Sequence, residues 1–500
     1  MTNAPPPNIV FIQADQLAAK QLHCYGGEVE SSPTLDRLAR EGMRFDRCYT
    51  TYPICLPNRA TMLTGRSPVV HGLVSGKCRL HADNPTYAHV LRRAGYHIGG
   101  FGKFHREGTS SPHPRVLDDL GFDEFTIVED DKRGPYLEWI RREHPEYYEM
   151  ALGRLGKHKG HLTGEQKRLR ESAREKVFRP LLNETGYYHM FPSPFPAEIH
   201  DTKYITDRGL EFIDAHLESP PDDPFFCQIS YVDPHDPYDP PRPYSGMFEP
   251  EEMPEPLPQE WREQGPHCLD EVNALNCRVI REENPPVFRR AAALYHGSIR
   301  LMDDHIARVT DFLENRGLLE NTLVVFTTDH GDMMGDHGFM AKGPVHYDGC
   351  IRCPLIVWGA GIETGASDRL VCGLDFFSTF CELAGIETNL LPPVEGKSFA
   401  RTALGGADEE EWREVAINYA GVQSVVTEDG WRLTRYHDAD EGQMMHLRED
   451  PDEQHNLYND PDFAYKRREL LERLIAVSTR PNRIPGYRNL SEKNRSVDYL

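Results

Sequence analysis

The chain has 500 residues, 39% of them apolar and 27% charged, and a net charge of −23 from 56 Lys plus Arg against 79 Asp plus Glu. That length exceeds what one hydrophobic core usually holds, so a large domain with a smaller one is expected, and the acidic balance excludes a nucleic-acid footprint. Eleven cysteines, an odd number without framework spacing, fit free thiols in a reducing compartment, and the expectation is a cytoplasmic protein.

Met1 to Asn8 has no basic n-region, and the apolar run Ile9 to Ile12 is too short for a signal peptide or a membrane span. Asn8 to Gln13 reads as a buried parallel strand with Asp15-Gln16 at its carboxyl end. Ser32-Pro33 opens a helix that closes at Gly42, with Ser32 as N-cap and Pro33 in the first turn. Pro85 to Ala94 reads as a helix and Tyr96 to Phe101 as a glycine-rich strand, followed directly by Lys103-Phe104-His105. Residues from about Gly134 to His200 look like a helical insertion able to roof a site. A helix over Thr202 to Leu217 and a strand over Pro224 to Val232 lead to Asp233-Pro234-His235-Asp236-Pro237. After Pro-rich loops, Arg289 to Arg316 is helical, and Thr322 to Thr327 is a strand followed at once by Asp329-His330-Gly331-Asp332. Cys353 to Trp358 reads as a strand and Asp375 to Ala384 as a helix. Beyond about Gly385 come short strands over Glu414 to Ser424, Asp429 to Tyr436 and Gln443 to Leu447. The acidic run Glu449 to Leu457, by itself a solvated turn, precedes a closing helix over Phe463 to Val477.

The chemistry centres on Cys55-Leu56-Pro57-Asn58-Arg59. Pro57 suits the first turn of a helix, which puts Cys55 at a helix N-terminus, where backbone N–H groups favour an anion. Arg59 lies one turn on, and a nucleophile, a helix end and a guanidinium together suit sulfate or phosphate. Taken bare, the stretch also fits a buried cysteine before an ordinary helix. Asp15, Lys103 and His105, His235, and Asp329 with His330 each fall just past a predicted strand end. In doubly wound α/β sheets ligands bind outside those ends. One His or Asp there is ordinarily structural, but four such placements together mark a site. Asp15, Asp329 and His330 suit a divalent ion: oxygen ligands favour Ca²⁺ or Mg²⁺, and the imidazole moves the preference towards Mn²⁺.

Cys55-x-Pro57-x-Arg59 followed by Leu63-Thr64-Gly65-Arg66 resembles the signature of type I sulfatases in the alkaline phosphatase superfamily. Ala14-Asp15-Gln16-Leu17, Pro234 to Tyr238 and Asp329 to Met333 bring it nearest to choline sulfatases and phosphonate monoester hydrolases. The likeness covers most of residues 8–110, 225–242 and 322–360. It implies an α/β fold with a large mixed, mostly parallel sheet flanked by helices. A small C-terminal α+β subdomain with a four-stranded antiparallel sheet would follow, with catalytic and C-terminal units at 1–385 and 386–500. It implies that Cys55 becomes formylglycine through a maturation enzyme, and that one ion (Ca or Mn) is held by Asp15, Asp329, His330 and the converted residue 55. One hydroxyl of the aldehyde hydrate would attack sulfur in line, the alcohol would leave, and the second hydroxyl would re-form the aldehyde and expel sulfate. Arg59 would hold the hydrate, Lys103 and Lys342 the non-bridging oxygens, His105 would assist, and His235 would protonate the leaving oxygen. The partner implied is a small-molecule sulfate ester, with no nucleic acid or membrane; a homo-oligomer stays open.

Departures are visible. Choline sulfatases and phosphonate hydrolases carry an asparagine downstream of the nucleophile, where this chain reads Gly72 to Lys77, so Ser75 or Lys77 would have to substitute. No match to a choline-specific tail is present. The rival reading is a phosphonate monoester or phosphodiester hydrolase with the same formylglycine. Those enzymes usually place Tyr-x-Thr where Lys103-Phe104-His105 stands, which favours sulfate here. A third reading, a silent binding protein with Cys55 left as a thiol, is opposed by the intact metal and anion positions.

Overall fold

The computed structural model describes residues 5–75, 78–105, 120–130, 132, 134–154, 162–180, 190–218, 223–272, 277–279, 285–408, 410–437 and 439–478. Ten strands precede residue 373: β1 (Asn8–Ala14), β2 (Met43–Tyr49), β3 (His97–Gly102), β4 (Glu124–Ile127), β5 (Phe225–Ser230), β6 (Cys277–Val279), β7 (Thr322–Thr328), β8 (Phe339–Ala341), β9 (Arg352–Gly359) and β10 (Gly365–Cys372). Eight of them form one sheet in the order β10-β2-β9-β7-β1-β5-β3-β4. Only β9 runs against the rest, pairing antiparallel with both β2 and β7. β6 and β8 make a separate two-stranded ribbon.

The apolar runs explain which strands lie centrally. β1 pairs in parallel with β5 on one side and β7 on the other, so Ile12 faces Ile229 and Phe326. Both sheet faces are covered. Val10 and Ile12 join Leu35 and Leu38 of helix α1 (Pro33–Glu41), Ile205 and Ile213 of the Asp201–Leu217 helix, and Ile299 and Ile306 of the Pro285–Asn315 helix. Ile9 and Phe11 face the other way, towards Leu56 and Leu63 of helix α2 (Cys55–Thr64), Tyr87 and Leu91, and Phe376 and Phe380. Phe11 meets Phe380 edge to face at 4.9 Å. Each fully buried side chain of this kind contributes about 1.5–3 kcal/mol of transfer free energy. The mixed, mostly parallel sheet between helices is the architecture the motifs imply.

The described part of the insertion is helical, at Pro135–Glu143, Tyr148–Arg154 and Gly164–Ala173. Arg154 ties it to the loop beyond β5 through Asp239, at 2.7 Å. Among the described residues no helix is long and apolar enough to cross a membrane.

Several elements differ from the sequence reading. β2, β4 and β10 carry no expectation in the sequence, because charged and small residues break their apolar pattern. Glu414 to Ser424 is not one strand: β11 (Glu414–Tyr419) and β12 (Val422–Thr427) fold back at Ala420-Gly421, both with positive φ. With β13 (Trp431–Tyr436) and β14 (Gly442–His446) they complete a four-stranded antiparallel sheet, capped by the Ala464–Ser478 helix through Leu470 and Leu474. The acidic run is not wholly solvated. Glu453 is buried, lies 2.9 Å from Arg432, and accepts the Asp348 N–H at 2.7 Å, which fastens the C-terminal sheet to the segment before β9.

Gly102, the last residue of β3, has φ +109, and a Cβ there would lie 1.8 Å from the Ser230 carbonyl oxygen. Gly102→Ala is therefore expected to destabilise the protein by more than about 3 kcal/mol. Urea unfolding checks this; a midpoint equal to wild type would contradict it.

Candidate active site

The loops at the carboxyl ends of β1, β3, β5 and β7 meet the N-terminus of α2. Cys55 opens α2 with its side chain 3% exposed. Its Sγ is 2.9 Å from Lys342 Nζ, 3.1 Å from His330 Nε2 and 3.6 Å from Asp15 Oδ1. His105 also acts on this thiol and helps to draw its pKa down. Burial by itself would raise the thiol pKa, but Lys103, Lys342 and His330 hold it well below the ordinary value. Position 55 is thus built to carry an anion.

Asp15, Cys55, Asp329 and His330 are all buried, and one ligand atom from each lies within 4.8 Å of the others. His330 Nδ1 donates to the Gly331 carbonyl at 3.0 Å, which orients the ring with Nε2 towards Cys55, 3.1 Å away. Two carboxylates, an imidazole nitrogen and the group at position 55 form a donor set that fits a divalent cation.

Arg59 is buried beneath them. Its Nε donates to Asp329 Oδ2 at 2.7 Å, Nη2 to Asp15 Oδ2 at 2.9 Å, and Nη1 to Ser230 Oγ and the Lys103 carbonyl, each at 2.7 Å. Lys103 Nζ is 2.6 Å from Asp15 Oδ2 and also contacts Asp130 Oδ1. Lys342 Nζ bonds Gln16 Oε1 at 2.6 Å and His235 Nε2 at 2.7 Å. His235 Nδ1 donates to the Asp236 carbonyl at 2.5 Å, which aims Nε2 at Lys342. Gln16, His105 and Ala341 all sit at positive φ. Strained backbone of this kind concentrates where a site dictates side-chain direction.

Comparison with known proteins decides the family. The sulfatase family model matches residues 7–386, and a model of the C-terminal part of N-sulphoglucosamine sulphohydrolase matches 335–480. An arylsulfatase of Clostridium perfringens is 30% identical over 505 residues, covering 96% of each chain. The chain belongs to the sulfatase family. A choline-sulfatase of Rhizobium meliloti is 27% identical, covering 91% of this chain and 83% of its own. The phosphonate monoester hydrolase of Agrobacterium radiobacter superposes with a TM-score of 0.75 at 22% identity, covering 95% and 96% of the two chains, a likeness of fold. The protein is thus a sulfatase, a sulfuric ester hydrolase on an alkaline phosphatase-like sheet.

In this sulfatase Asp15, Cys55, Arg59, Lys103, His105, His235, Asp329, His330 and Lys342 all converge on one locus. Gln16, whose place the sequence leaves open, bridges Lys342 to Asp332 Oδ2, which its Nε2 reaches at 2.5 Å. Ser75 is exposed beside Cys78, at 3.5 Å, and Lys77 lies outside the described residues. Three participants escape sequence reasoning. Asp332 accepts from Gln16, from Tyr238 Oη at 2.6 Å and from the backbone of Met334 and Ala341, which sets the loop that carries Lys342. The signal for Asp332 and Tyr238 was present, since both stand inside motifs read for their neighbours. Asp130 follows β4, a strand of four residues that no apolar run announces.

Proposed function

We propose that this sulfatase cleaves sulfate monoesters with a formylglycine made from Cys55. One divalent ion would be held by Asp15, Asp329, His330 and the converted residue 55. The observation that carries the reading is the convergence of two carboxylates, one imidazole and Cys55 within 4.8 Å at the end of α2, flanked by Lys103 and Lys342. A bound ion there supplies Lewis-acid polarisation of an ester oxygen and a lowered pKa for a coordinated hydroxyl. Cys55 Sγ marks where the oxygens of the converted residue stand, and the hydrate's hydroxyl is the nucleophile. Lys342 and Lys103 flank that position and neutralise the non-bridging oxygens. His105 acts on position 55 and orients the hydrate. His235, fixed through Nδ1 and facing Lys342 through Nε2, hands a proton to the leaving oxygen. Arg59 holds Asp329 as a carboxylate and keeps both Asp15 and Asp329 in register. A formylglycine-generating maturation enzyme is the required partner. The ten cysteines described in full are all free thiols, which supports a reducing, cytoplasmic setting.

The test is a parallel rate screen of sulfate, phosphonate and phosphate esters after metal exchange. Sulfate monoesters are expected to be fastest, phosphonate monoesters slower and dianionic phosphate monoesters poorest. A matured enzyme that cleaves phosphonate esters faster than every sulfate tried would establish the phosphonate reading instead. Asp15→Ala, Asp329→Ala and His330→Ala are each expected to lose bound metal and activity together. Full occupancy by elemental analysis would remove that residue from the ligand set. His330→Asn replaces a nitrogen ligand by oxygen and is expected to shift preference from Mn²⁺ towards Ca²⁺; an unchanged preference counts against the imidazole as a ligand.

A further inference from the structure

Resting on the sulfate-monoester reading above, we propose that Asp130 makes this site select singly charged esters. Its carboxylate sets a fixed negative charge behind the Lys103 ammonium and opposes a second negative charge on the substrate. The two lysines of the site are not equivalent. Lys342 Nζ meets Gln16 Oε1, His235 Nε2 and Cys55 Sγ and makes no ion pair with a described carboxylate, so its charge remains available at position 55. Lys103 Nζ is fully buried between Asp15 Oδ2, at 2.6 Å, and Asp130 Oδ1, so two carboxylates offset it. Asp15 belongs to the cation site, whereas Asp130 makes no contribution there and is the surplus charge.

Asp130 is held as a carboxylate. Burial would raise its pKa, but Lys103, His235 and His105 draw it far below the usual range, and its field reaches position 55. Oδ1 is buried against Lys103 while the side chain keeps 34% of its exposure, so the group lies at the rim of the site and not in the core. Deleting one unit charge directly behind the Lys103 ammonium would change the handling of a dianion by about tenfold or more. A sulfate or phosphonate monoester carries one negative charge, whereas a phosphate monoester carries up to two near neutral pH. The same charge works against retention of the product, since inorganic sulfate is a dianion.

The experiment compares matured wild type with Asp130→Asn, Asp130→Ser and the charge-conserving Asp130→Glu. The substrates are 4-nitrophenyl sulfate, 4-nitrophenyl phenylphosphonate (monoanion) and 4-nitrophenyl phosphate (dianion at pH 8). In the Asn or Ser variant, kcat/KM for the phosphate relative to the sulfate is expected to rise about tenfold or more. The phosphonate-to-sulfate ratio should move less than about threefold, and inorganic sulfate should inhibit at about tenfold lower concentration. Asp130→Glu should restore the wild-type ratios. A uniform loss on all three esters would show that Asp130 only positions Lys103, and an equal rise for both phosphorus esters would show a loosened site; either result overturns the proposal. If wild type cleaves phosphonate but no sulfate, the sulfate reading fails, and the phosphate-to-phosphonate ratio still decides the role of Asp130.

Discussion

Cys55→Ala enzyme is expected to be soluble, folded and inactive, with turnover of sulfate esters reduced by about 10⁴-fold or more. The size of the loss follows from what position 55 does. It is the first residue of α2, it lies against Lys342, His330 and Asp15, and among the described residues no other thiol or hydroxyl hydrogen-bonds any of those three side chains. The fold should survive, because the change removes one sulfur atom from a cluster whose stability rests on Arg59 and the two carboxylates, a cost of less than about 2 kcal/mol. Cys55→Ser should fail equally unless the maturation enzyme of the host accepts serine, because an unconverted hydroxyl has no geminal partner to expel sulfate. Intact mass of the peptide carrying residue 55 reports conversion directly. A Cys55→Ala enzyme with near-normal rates, or a fully active wild type whose residue 55 remains a thiol, would remove the nucleophile assignment.

Much of the site was legible in the sequence because a parallel sheet delivers distant residues to one rim. β1, β5 and β7 announce themselves as short apolar runs, and the polar residues that follow them, Asp15-Gln16, His235 and Asp329-His330, could be placed without knowing strand order. What stayed hidden has physical causes. β2 alternates Arg44, Asp46 and Arg47 with apolar residues, and its charges are satisfied laterally: Arg44 bonds Asp46 at 2.6 Å and Arg47 reaches the Glu428 carbonyl at 2.7 Å. With β2, β4 and β10 unseen, the sheet's edges were missing, and Asp130 beyond β4 with them. The acidic run showed its charge but not that Glu453 turns inward to Arg432. The orientation of Arg59 was also beyond the sequence. Spacing alone places it one turn from Cys55, facing an anion, whereas its guanidinium is taken up by Asp15, Asp329, Ser230 and main-chain oxygens. Those partners lie in or just past four different strands, β1, β3, β5 and β7.

That placement makes Arg59→Lys the second large effect. The guanidinium serves two buried carboxylates, one buried hydroxyl and two carbonyls from a planar fork, and an ammonium of one nitrogen cannot reach them together. Asp15 and Asp329, neither exposed to solvent, would then lose the charge-assisted hydrogen bonds that link them, Asp15 keeping Lys103. Breaking buried ion pairs from one side costs about 3–5 kcal/mol, and the metal-free variant is expected to lose stability of that order. A divalent cation between the same carboxylates would supply much of the missing charge. Saturating Mn²⁺ or Ca²⁺ should therefore raise the thermal midpoint of the variant by more than it raises that of wild type. Activity should stay at least about 10²-fold down even with metal bound, since Asp15 and Asp329 lose their register with position 55. Differential scanning calorimetry with and without metal, alongside the sulfate ester assay, checks both parts. A metal-free variant that melts with wild type would show that the two carboxylates do not depend on Arg59 for their charge.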